Sequence, residues 1–224
     1  MEFENIISLL RGEGEVRSVD RVVFASAKEY FIRELKNLAS SQQVRIHPLG
    51  FFVATKRIDT QSALRFHVWP NGFDTSQSQA GGEIHDHIFE LNSLVVAGAL
   101  QQKRFTCRYD ASGTHDVLEV GYTKDGSNLC ASGSKAILNL EKEEQFNAGT
   151  IYKLPIGSIH HAAAVTHPTA SLVLTTRDLS KTTPIVFVPI GGPMPSDSFA
   201  RSTLNNIEEE LLGKAIADIA SDSS

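Results

Sequence analysis

The sequence predicts a mainly β fold: one barrel, with helices before it and a helix after it. From about residue 44 the chain breaks into short apolar or alternating runs separated by Gly, Asn, Asp and Ser, which is the pattern of strands and turns. No helical pattern lies between these runs, so an antiparallel barrel or sandwich is favoured over a βαβ fold. With 224 residues, of which 41% are hydrophobic and 21% charged, the chain suits a single domain.

The segments on either side of the barrel are predicted to be helical. In residues 1–43, which we expect to pack on the barrel, Ser26 precedes Glu29 by three positions, the spacing of a capping box at a helix start. Apolar residues then follow at helical spacing: Tyr30, Phe31, Leu35 and Leu38. Residues 193–224 are predicted to carry one more helix with a single apolar face, formed by Ile207, Leu211, Leu212 and Ile216.

Residues 44–192 are predicted to form the barrel. Nine runs in this segment have the length and composition of strands: "ALRFHVW", "LNSLVVAGAL", "RFTCRY", "DVLEVGYT", "KAILNL", "TIYKLP", "HAAAV", "ASLVLTT" and "PIVFVPI". Turn signals such as "DASG", "KDGSN" and "ASGS" lie between them. The expected order is therefore helices, barrel and helix within one domain.

Composition and charge argue against several classes of function. The net charge of -5, without any run of Lys and Arg, argues against a nucleic-acid partner. No apolar stretch approaches the ~18 residues that cross a bilayer, and "MEFENIISLLRGEGE" lacks the pattern of a secretory signal. Cys107 and Cys130 are too few for a disulfide framework. We therefore expect a cytoplasmic protein, a monomer or a homodimer, with a small-molecule partner.

The stretch "EIHDHIFELNSLVVAG", residues 83–98, holds two histidines two positions apart at the start of an apolar run. On a strand, such side chains face the same side, whereas on a helix they would splay roughly 200° apart. If this segment is a strand, His85 and His87 face one space and Asp86 faces the other. Two converging imidazoles suggest a metal or a shared anion. The pair alone is weak, because about 0.3 occurrences are expected by chance at this histidine content.

The stretch "GTIYKLPIGSIHH" is far more specific. Its Gly149, Pro155, Gly157 and His160 stand at a spacing that chance would produce roughly 0.001 times in such a chain. Pro155 and Gly157 predict a tight turn between two strands, and Gly157 can take a backbone angle that other residues resist. We expect this turn to direct His160 into the barrel at the start of the next strand.

The two motifs, in this order, resemble those of the cupin superfamily over about residues 69–175. The second cupin motif is G-x5-P-x-G-x2-H, and the first carries HxH on an earlier strand and ends with a glycine, here Gly98. The resemblance implies a single cupin barrel, also called a double-stranded β-helix or jelly roll. It also implies that His85, His87 and His160 are three facial ligands of one divalent metal ion.

The first motif departs from the common cupin pattern, which places a glutamate three or four residues after the second histidine. Leu91 and Asn92 occupy those positions here, and strand parity points Glu90 away from His85 and His87. The implied site has three neutral imidazoles and no carboxylate, so the charge of the ion is uncancelled and up to three octahedral positions are open. Such an ion suits an anionic, chelating substrate with O2 beside it, a variation on the non-haem Fe(II) oxygenases.

Within the cupins, "IHDH", the apolar strand that ends in glycine and the missing glutamate resemble the cysteine dioxygenase-like (thiol dioxygenase) group. Ser171 matches that group's catalytic serine, but Val173 stands in place of its histidine and Thr175 in place of its tyrosine. Asn92 occupies the place of the cysteine that crosslinks to that tyrosine in animal members, which makes it a catalytic candidate. The resemblance implies a relative that keeps the metal ligands but acts on a substrate other than free cysteine, with Val173 and Thr175 beside that substrate.

Residues upstream of the first motif are further candidates. His67 in "LRFHVWP" shares a strand face with Arg65 and Trp69. If that face looks into the barrel, His67 is a catalytic candidate that hydrogen-bonds substrate or dioxygen; the alternative is a surface or core histidine. Arg65, Arg57 or Lys56 is expected to bind a substrate carboxylate through charge-assisted hydrogen bonds, as an upstream arginine does in the cysteine-oxidising relatives.

Other polar residues near the motifs are expected to play supporting parts or none. Asp86 is expected to accept a hydrogen bond from a neighbouring backbone or side-chain group, since metal-binding histidines need such support. His161 and His167 follow the third ligand and are expected to be structural or exposed. His47 and His115 lie in polar or turn-like surroundings, and we expect no role for them.

Three functions remain open on these observations. The first is an Fe(II)-dependent oxygenase that combines O2 with a small polar substrate, a thiol or an amino-acid derivative. The second is a metal-dependent isomerase or lyase on the same barrel, with Zn, Mn or Ni as Lewis acid. The third is a non-enzymatic cupin that binds a small ligand. Fold alone does not choose among them, because function depends on the site.

Overall fold

A computed structural model describes residues 1–73, 82–123, 126–178, 180 and 183–222. The helices of this part of the chain are α1 (Phe3–Arg11), α2 (Arg21–Ser40) and α3 (Asn206–Ser221). Its strands are β1 (Val16–Ser18), β2 (Arg45–His47), β3 (Phe51–Arg57), β4 (Ser62–Trp69), β5 (Ile84–His85), β6 (Phe89–Ala97), β7 (Ala99–Tyr109), β8 (His115–Tyr122), β9 (Gly126–Asn147), β10 (Thr150–Leu154), β11 (Ile159–Ala164), β12 (Thr169–Arg177), β13 (Ile185–Pro189) and β14 (Ser198–Ala200). Within the described residues, no helix is long and apolar enough to span a membrane.

The strands form two antiparallel sheets of seven. The first sheet has the order β1-β10-β6-β12-β4-β3-β2, and the second has the order β14-β9-β7-β11-β5-β13-β8. The long strand β9 pairs with β8 through its first half and with β7 through its second half, so the second sheet curls on itself. A cluster of buried side chains from both sheets, among them Leu91, Leu100 and Phe146, fills the space between them. The fold is therefore a mainly β jelly-roll barrel of the cupin type with helices at both ends, as the sequence predicts.

The predicted strands are all present, but one of them is two strands. The run "LNSLVVAGAL" covers the end of β6 and the start of β7, with Gly98 between them. Gly98 has a φ of 68°, and a Cβ atom there would lie 2.2 Å from Thr169 Oγ1. Only glycine fits this backbone conformation and this approach without strain. The prediction missed β1, β2, β3, β5 and β14, of which β1, β2, β5 and β14 have three residues or fewer.

The helix starts differ from the prediction in one case. Helix α2 begins earlier than the expected capping box: Asp20 is its N-cap and accepts hydrogen bonds from Val22 N at 2.9 Å and Val23 N at 3.4 Å. Ser26 therefore lies inside α2, where a cap has no function. Helix α3 does have a capping box, between Asn205 and Glu208.

All three helices lie against the outer face of the first sheet. Their apolar residues share one buried cluster with the outward side chains of β3, β4, β6, β10 and β12, such as Phe66 and Leu94. In α3, Leu212 and Ile216 are buried as expected, but Ile207 is 71% exposed because it lies in the first turn, beyond the edge of the contact. The helices therefore cover the outside of the first sheet and leave its inner face to the space between the sheets.

Candidate metal centre

Three histidines from two distant parts of the chain meet between the sheets. His85 on β5 and His160 on β11 are register partners in the second sheet. The turn before β11 is tied to the first motif, because Gly157 N donates to His87 O at 3.0 Å, with Gly157 at a φ of 72°. The ring centroids are 4.6 Å apart for His85 and His160, 4.7 Å for His85 and His87, and 5.0 Å for His87 and His160. One ring nitrogen from each of the three lies within 4.8 Å of the others.

Backbone carbonyls fix the orientation of two of these rings. Nδ1 of His85 lies 3.0 Å from Glu83 O, and Nδ1 of His160 lies 3.2 Å from Ser158 O. A carbonyl oxygen only accepts, so each Nδ1 carries the proton and donates, which leaves the lone pair on Nε2. Metal-binding histidines commonly donate through their other nitrogen in this way. Asp86, whose Oδ1 accepts from Ile185 N at 2.8 Å, supports the neighbouring strand as expected.

The protonation state of the cluster suits a metal site. Burial lowers the pKa of His85 and His160, that of His160 to about 3, and holds the pKa of His87 well below its ordinary range. All three imidazoles are therefore neutral at neutral pH, and only a neutral imidazole can offer a lone pair to a cation. Three neutral donors at this separation fit one divalent ion, and this is the ligand set that the sequence predicts.

The three histidines line a cavity of about 60 Å³ with mostly aromatic and aliphatic walls. At about 15 Å³ for each water, it has room for roughly four water molecules or a ligand of that size. The remaining wall residues are His47, Leu49, Phe51, Arg65, His67, Trp69, Phe89, Leu91, Ser93, Gln102, Tyr152, Leu154, Ala162 and Val173. No Asp or Glu is among them, so within the described chain the cavity carries no negative side chain.

Arg65 is the cation of this cavity. Its guanidinium lies 4.6 Å from the centre of the Phe89 ring, and its Nε is buried without a hydrogen-bond partner. Burial lowers the pKa of Arg65 to about 10, so the group still carries its charge at neutral pH. A buried, charged donor without a partner is costly unless a ligand binds to it.

His67 lies beside Arg65, on the face of β4 that looks into the barrel. Its ring centroid is 5.0 Å from that of Phe51 and 5.9 Å from that of Trp69, and its Nε2 is buried without a partner. Burial, and then the charge of Arg65, lower the pKa of His67 to about 3. The shared face predicted for Arg65, His67 and Trp69 is confirmed, and His67 is a neutral group within the cavity.

On β12 the two predicted wall residues differ. Val173 is buried in the apolar cluster between the sheets and lines the cavity. The Thr175 hydroxyl donates to Ala63 O at 3.1 Å, which engages it with the neighbouring strand, and Thr175 is not part of the cavity wall. Ser171, also on β12, is the register partner of His67 on β4, and its hydroxyl is buried without a hydrogen-bond partner.

Besides Thr175, three predicted site residues lie outside the cavity. Asn92 shares a face of β6 with Glu90, and its Nδ2 donates to Glu90 Oε1 at 3.1 Å, whereas the cavity is lined by the alternate residues of that strand. Strand alternation thus turns Asn92 away from the histidines, and Asn92 does not line the cavity. Arg57 is exposed at the end of β3 and does not reach the cavity. Lys56 forms an ion pair with Glu34 of α2 at 2.7 Å, on the outer side of the sheet.

The structure adds residues that the sequence did not indicate. His47, expected to have no role, lines the cavity and stacks on Phe51 at 4.2 Å, and burial holds its pKa well below the ordinary range. Tyr152 and Gln102 form a hydrogen-bonded pair in the wall, with Gln102 Nε2 donating to the Tyr152 hydroxyl at 3.1 Å. No local motif marks these residues. Alternation along β10 could have indicated Tyr152, because Ile151 faces the helices and the next residue must face the interior of the barrel.

The fold and the histidine cluster together define a cupin-type barrel with a candidate metal centre. No known family profile matches the chain, and no curated protein sequence matches it. Similar solved structures include the DMSP lyase DddQ from Ruegeria pomeroyi, at 14% identity over 80% of this chain and 74% of that chain, with a TM-score of 0.42. They also include an oxalate decarboxylase from Bacillus subtilis, at 10% identity over 69% of this chain and 30% of that chain, with a TM-score of 0.36. An 11S globulin from Wrightia tinctoria matches at 12% identity over 62% and 28% of the two chains, with a TM-score of 0.35.

This chain thus spans less than a third of the oxalate decarboxylase and of the 11S globulin. At these TM-scores the likenesses are loose, and the fold assignment depends on the strand pairing instead.

Proposed function

We propose that this protein is a three-His non-haem Fe(II) oxygenase, of the dioxygenase type, that combines O2 with a small polar substrate. The observation that carries the proposal is the meeting of three neutral imidazoles in a buried, mainly apolar cavity without a carboxylate among its described wall residues. His85, His87 and His160 would hold the ion. Fe(II) held by these three residues would supply the redox chemistry that joins O2 to a bound substrate.

Arg65 binds and orients the substrate in this proposal. Its guanidinium is charged and its Nε is buried without a hydrogen-bond partner, so a carboxylate that enters the cavity gains a charge-assisted hydrogen bond and offsets the cost of burying the cation. Phe89 below the guanidinium limits where that group can go. The substrate is therefore held at one anionic end while its reacting end faces the histidines.

The other polar groups of the cavity favour oxygenation over proton abstraction. A general base works best when its pKa lies near the working pH. Burial moves the pKa of His67 down to about 3, and burial raises the pKa of Tyr152, so neither takes a proton readily at neutral pH. No carboxylate lines the described part of the cavity. The neutral His67 can still hydrogen-bond a substrate, and the aromatic walls exclude water.

The substrate is a molecule other than free cysteine. The wall at Val173 offers no hydrogen bond where the resembled group has a histidine, and Thr175 is engaged with Ala63. A polar amino group placed against Val173 would lose its water without gaining a partner, which costs about 1–3 kcal/mol. A substrate with an apolar or bulkier part at that wall fits better.

The test is oxygen uptake by protein that has been loaded with Fe(II) under anaerobic conditions, across a panel of small thiols, amino-acid derivatives and carboxylic acids. We expect one class to consume O2 in proportion to the product formed, and His87→Ala to abolish both metal binding and turnover. His161→Ala is the matched control, since His161 is the next residue after His160 but faces away from the cluster. Turnover of a substrate without O2 would refute the oxygenase and point to a lyase or isomerase.

A further inference from the structure

A second cavity of about 80 Å³ adjoins the first at the histidine cluster. The two share four wall residues: His47, Leu49, His85 and His87. The rest of the wall of the second cavity comes mainly from the second sheet and the C-terminal segment, and includes Tyr122, Arg201 and Asp86, whose Oδ1 accepts from Ile185 N. Two of the three candidate metal ligands, His85 and His87, therefore line both cavities, of which one holds Arg65 and the other Arg201.

Arg201 is held in place by a strap that joins the two sheets. On one side, β14 pairs with β9, where Phe199 is the register partner of Ser127. On the other side, Thr203 forms a bridge with Arg45 of β2, and Ile46 N donates to Ser202 O at 3.4 Å. Residues 198–203 thus cross from the second sheet to the first, and both ends are tied by backbone hydrogen bonds. Arg201 lies between the two attachments and lines the cavity.

Each of the two adjoining cavities therefore holds one arginine. Nε of Arg201 is buried and has no hydrogen-bond partner, as is the case for Arg65. Neither guanidinium forms an ion pair with any carboxylate of the described residues, whose ion pairs are made by other cations. Because a partly buried cation without compensation is unfavourable, this pair of charges points to anions that bind from outside.

We propose that the substrate is a small molecule with two anionic groups, one bound by Arg65 and the other by Arg201, which binds beside the three-His centre. This inference rests on the proposed function, since it names the substrate class of the same centre. Guanidinium binds carboxylate and phosphate groups in the same forked geometry, so both chemistries qualify. The combined space suits a short diacid, and a molecule with one anionic group would leave one arginine unpaired.

The test measures binding to the metal-free protein, so it needs neither iron nor turnover. Trp69 is the only tryptophan of the chain and lines the first cavity, so its fluorescence reports a ligand there. The probes are propionate, succinate and 3-phosphonopropionate, which differ in the number and kind of anionic groups. We expect the two dianions to bind about 10- to 100-fold more tightly than propionate, the gain of one charge-assisted interaction; which dianion binds better decides between carboxylate and phosphate.

Variants then assign that gain to Arg201. Arg201→Gln should remove the preference for the dianions over propionate, whereas Arg65→Gln should weaken the binding of all three probes. Arg201→Lys keeps the positive charge but loses the forked guanidinium geometry, so its preference for the dianions should lie between those of Arg201→Gln and the wild type. Arg177→Gln is the control, because Arg177 is exposed at the end of β12 and lines neither cavity. Each variant is compared by its unfolding midpoint, so a loss of fold is recognised.

The proposal is overturned if no dianion binds the wild type more tightly than propionate, or if a folded Arg201→Gln keeps the full preference. These outcomes are separate from the fate of the proposed function. Failure of Fe(II) binding or of oxygen uptake would remove the oxygenase and leave the dianion result readable in the metal-free protein. A functional oxygenase with no dependence on Arg201 would remove only this inference.

Discussion

The buried histidine His67 makes the stability of the metal-free protein depend on pH. Its pKa falls from an ordinary value of 6.5 in the unfolded chain to about 3 in the folded protein, because burial and Arg65 both disfavour the charged form. Between these two values the unfolded chain binds a proton that the folded protein does not. The folded protein therefore has its full stability with respect to His67 above the unfolded-state pKa, and this stability falls as the pH is lowered below that value.

The magnitude follows from the size of this shift. One pKa unit corresponds to about 1.36 kcal/mol, and the part of the shift that lies between about pH 7 and pH 5 amounts to about 2 kcal/mol for His67 alone. Burial also lowers the pKa values of His160, His87 and His47, so the whole protein should lose more stability over this pH range than His67 alone accounts for. The assay is urea unfolding of the metal-free protein at about pH 7 and about pH 5.

Replacement of His67 isolates its share. His67→Phe keeps an aromatic ring against Phe51 and Trp69 and cannot take up a proton, so it should lose about 2 kcal/mol less than the wild type over this range. His167→Gln, at an exposed position, should follow the wild type. If His67→Phe and the wild type lose the same stability, then His67 is not a buried neutral group and the reasoning about the cavity is wrong.

Three further predictions concern the metal ligands, a glycine and the substrate. His160→Ala should lower Fe(II) affinity by more than about 100-fold, since even the loss of a residue that only orients a ligand costs about 10- to 100-fold, and His161→Ala should change it little; equilibrium dialysis with metal analysis measures both. Gly98→Ala should lower the free energy of unfolding by about 2 kcal/mol or more in urea titrations, because its φ of 68° disfavours a side chain and the new Cβ would meet Thr169. With free L-cysteine, the Fe(II)-loaded wild type should show slow oxygen uptake and little sulfinate, and efficient stoichiometric conversion would contradict the substrate assignment.

Local patterns were sufficient for much of the fold and for the ligand set. Alternation along one strand placed Arg65, His67 and Trp69 on one face, because side chains of a strand alternate whatever the strand pairs with. The spacing Pro155, Gly157 and His160 likewise predicts the turn and the histidine after it, since a positive φ at Gly157 is a property of that turn itself.

The positions of Asn92 and Arg57 follow from strand geometry and differ from those that the resemblance implies. The motif makes Asn92 a catalytic candidate. However, Asn92 lies two residues after Glu90 on the same strand, so alternation turns both side chains away from the histidines. Alternation continues across the break between β5 and β6, since His85, His87, Phe89 and Leu91 all line the cavity, and it therefore puts Asn92 on the other face. Arg57 lies on the same face of β3 as Phe51, which lines the cavity, but it is the last residue of the strand and is exposed.

The sequence by itself determined most of the longer strands, the alternation of side chains along them and which three histidines can meet. Only the tertiary structure decided what surrounds them, because those neighbours come from pairings between distant segments. His47 enters the cavity through the pairing of β2 with β3, and Arg201 reaches it because its strap is attached to β9 on one side and β2 on the other. No local periodicity encodes such long-range contacts. They arise when the two sheets close around a common interior, and that closure brings Arg65 and Arg201 into adjoining cavities beside the histidines.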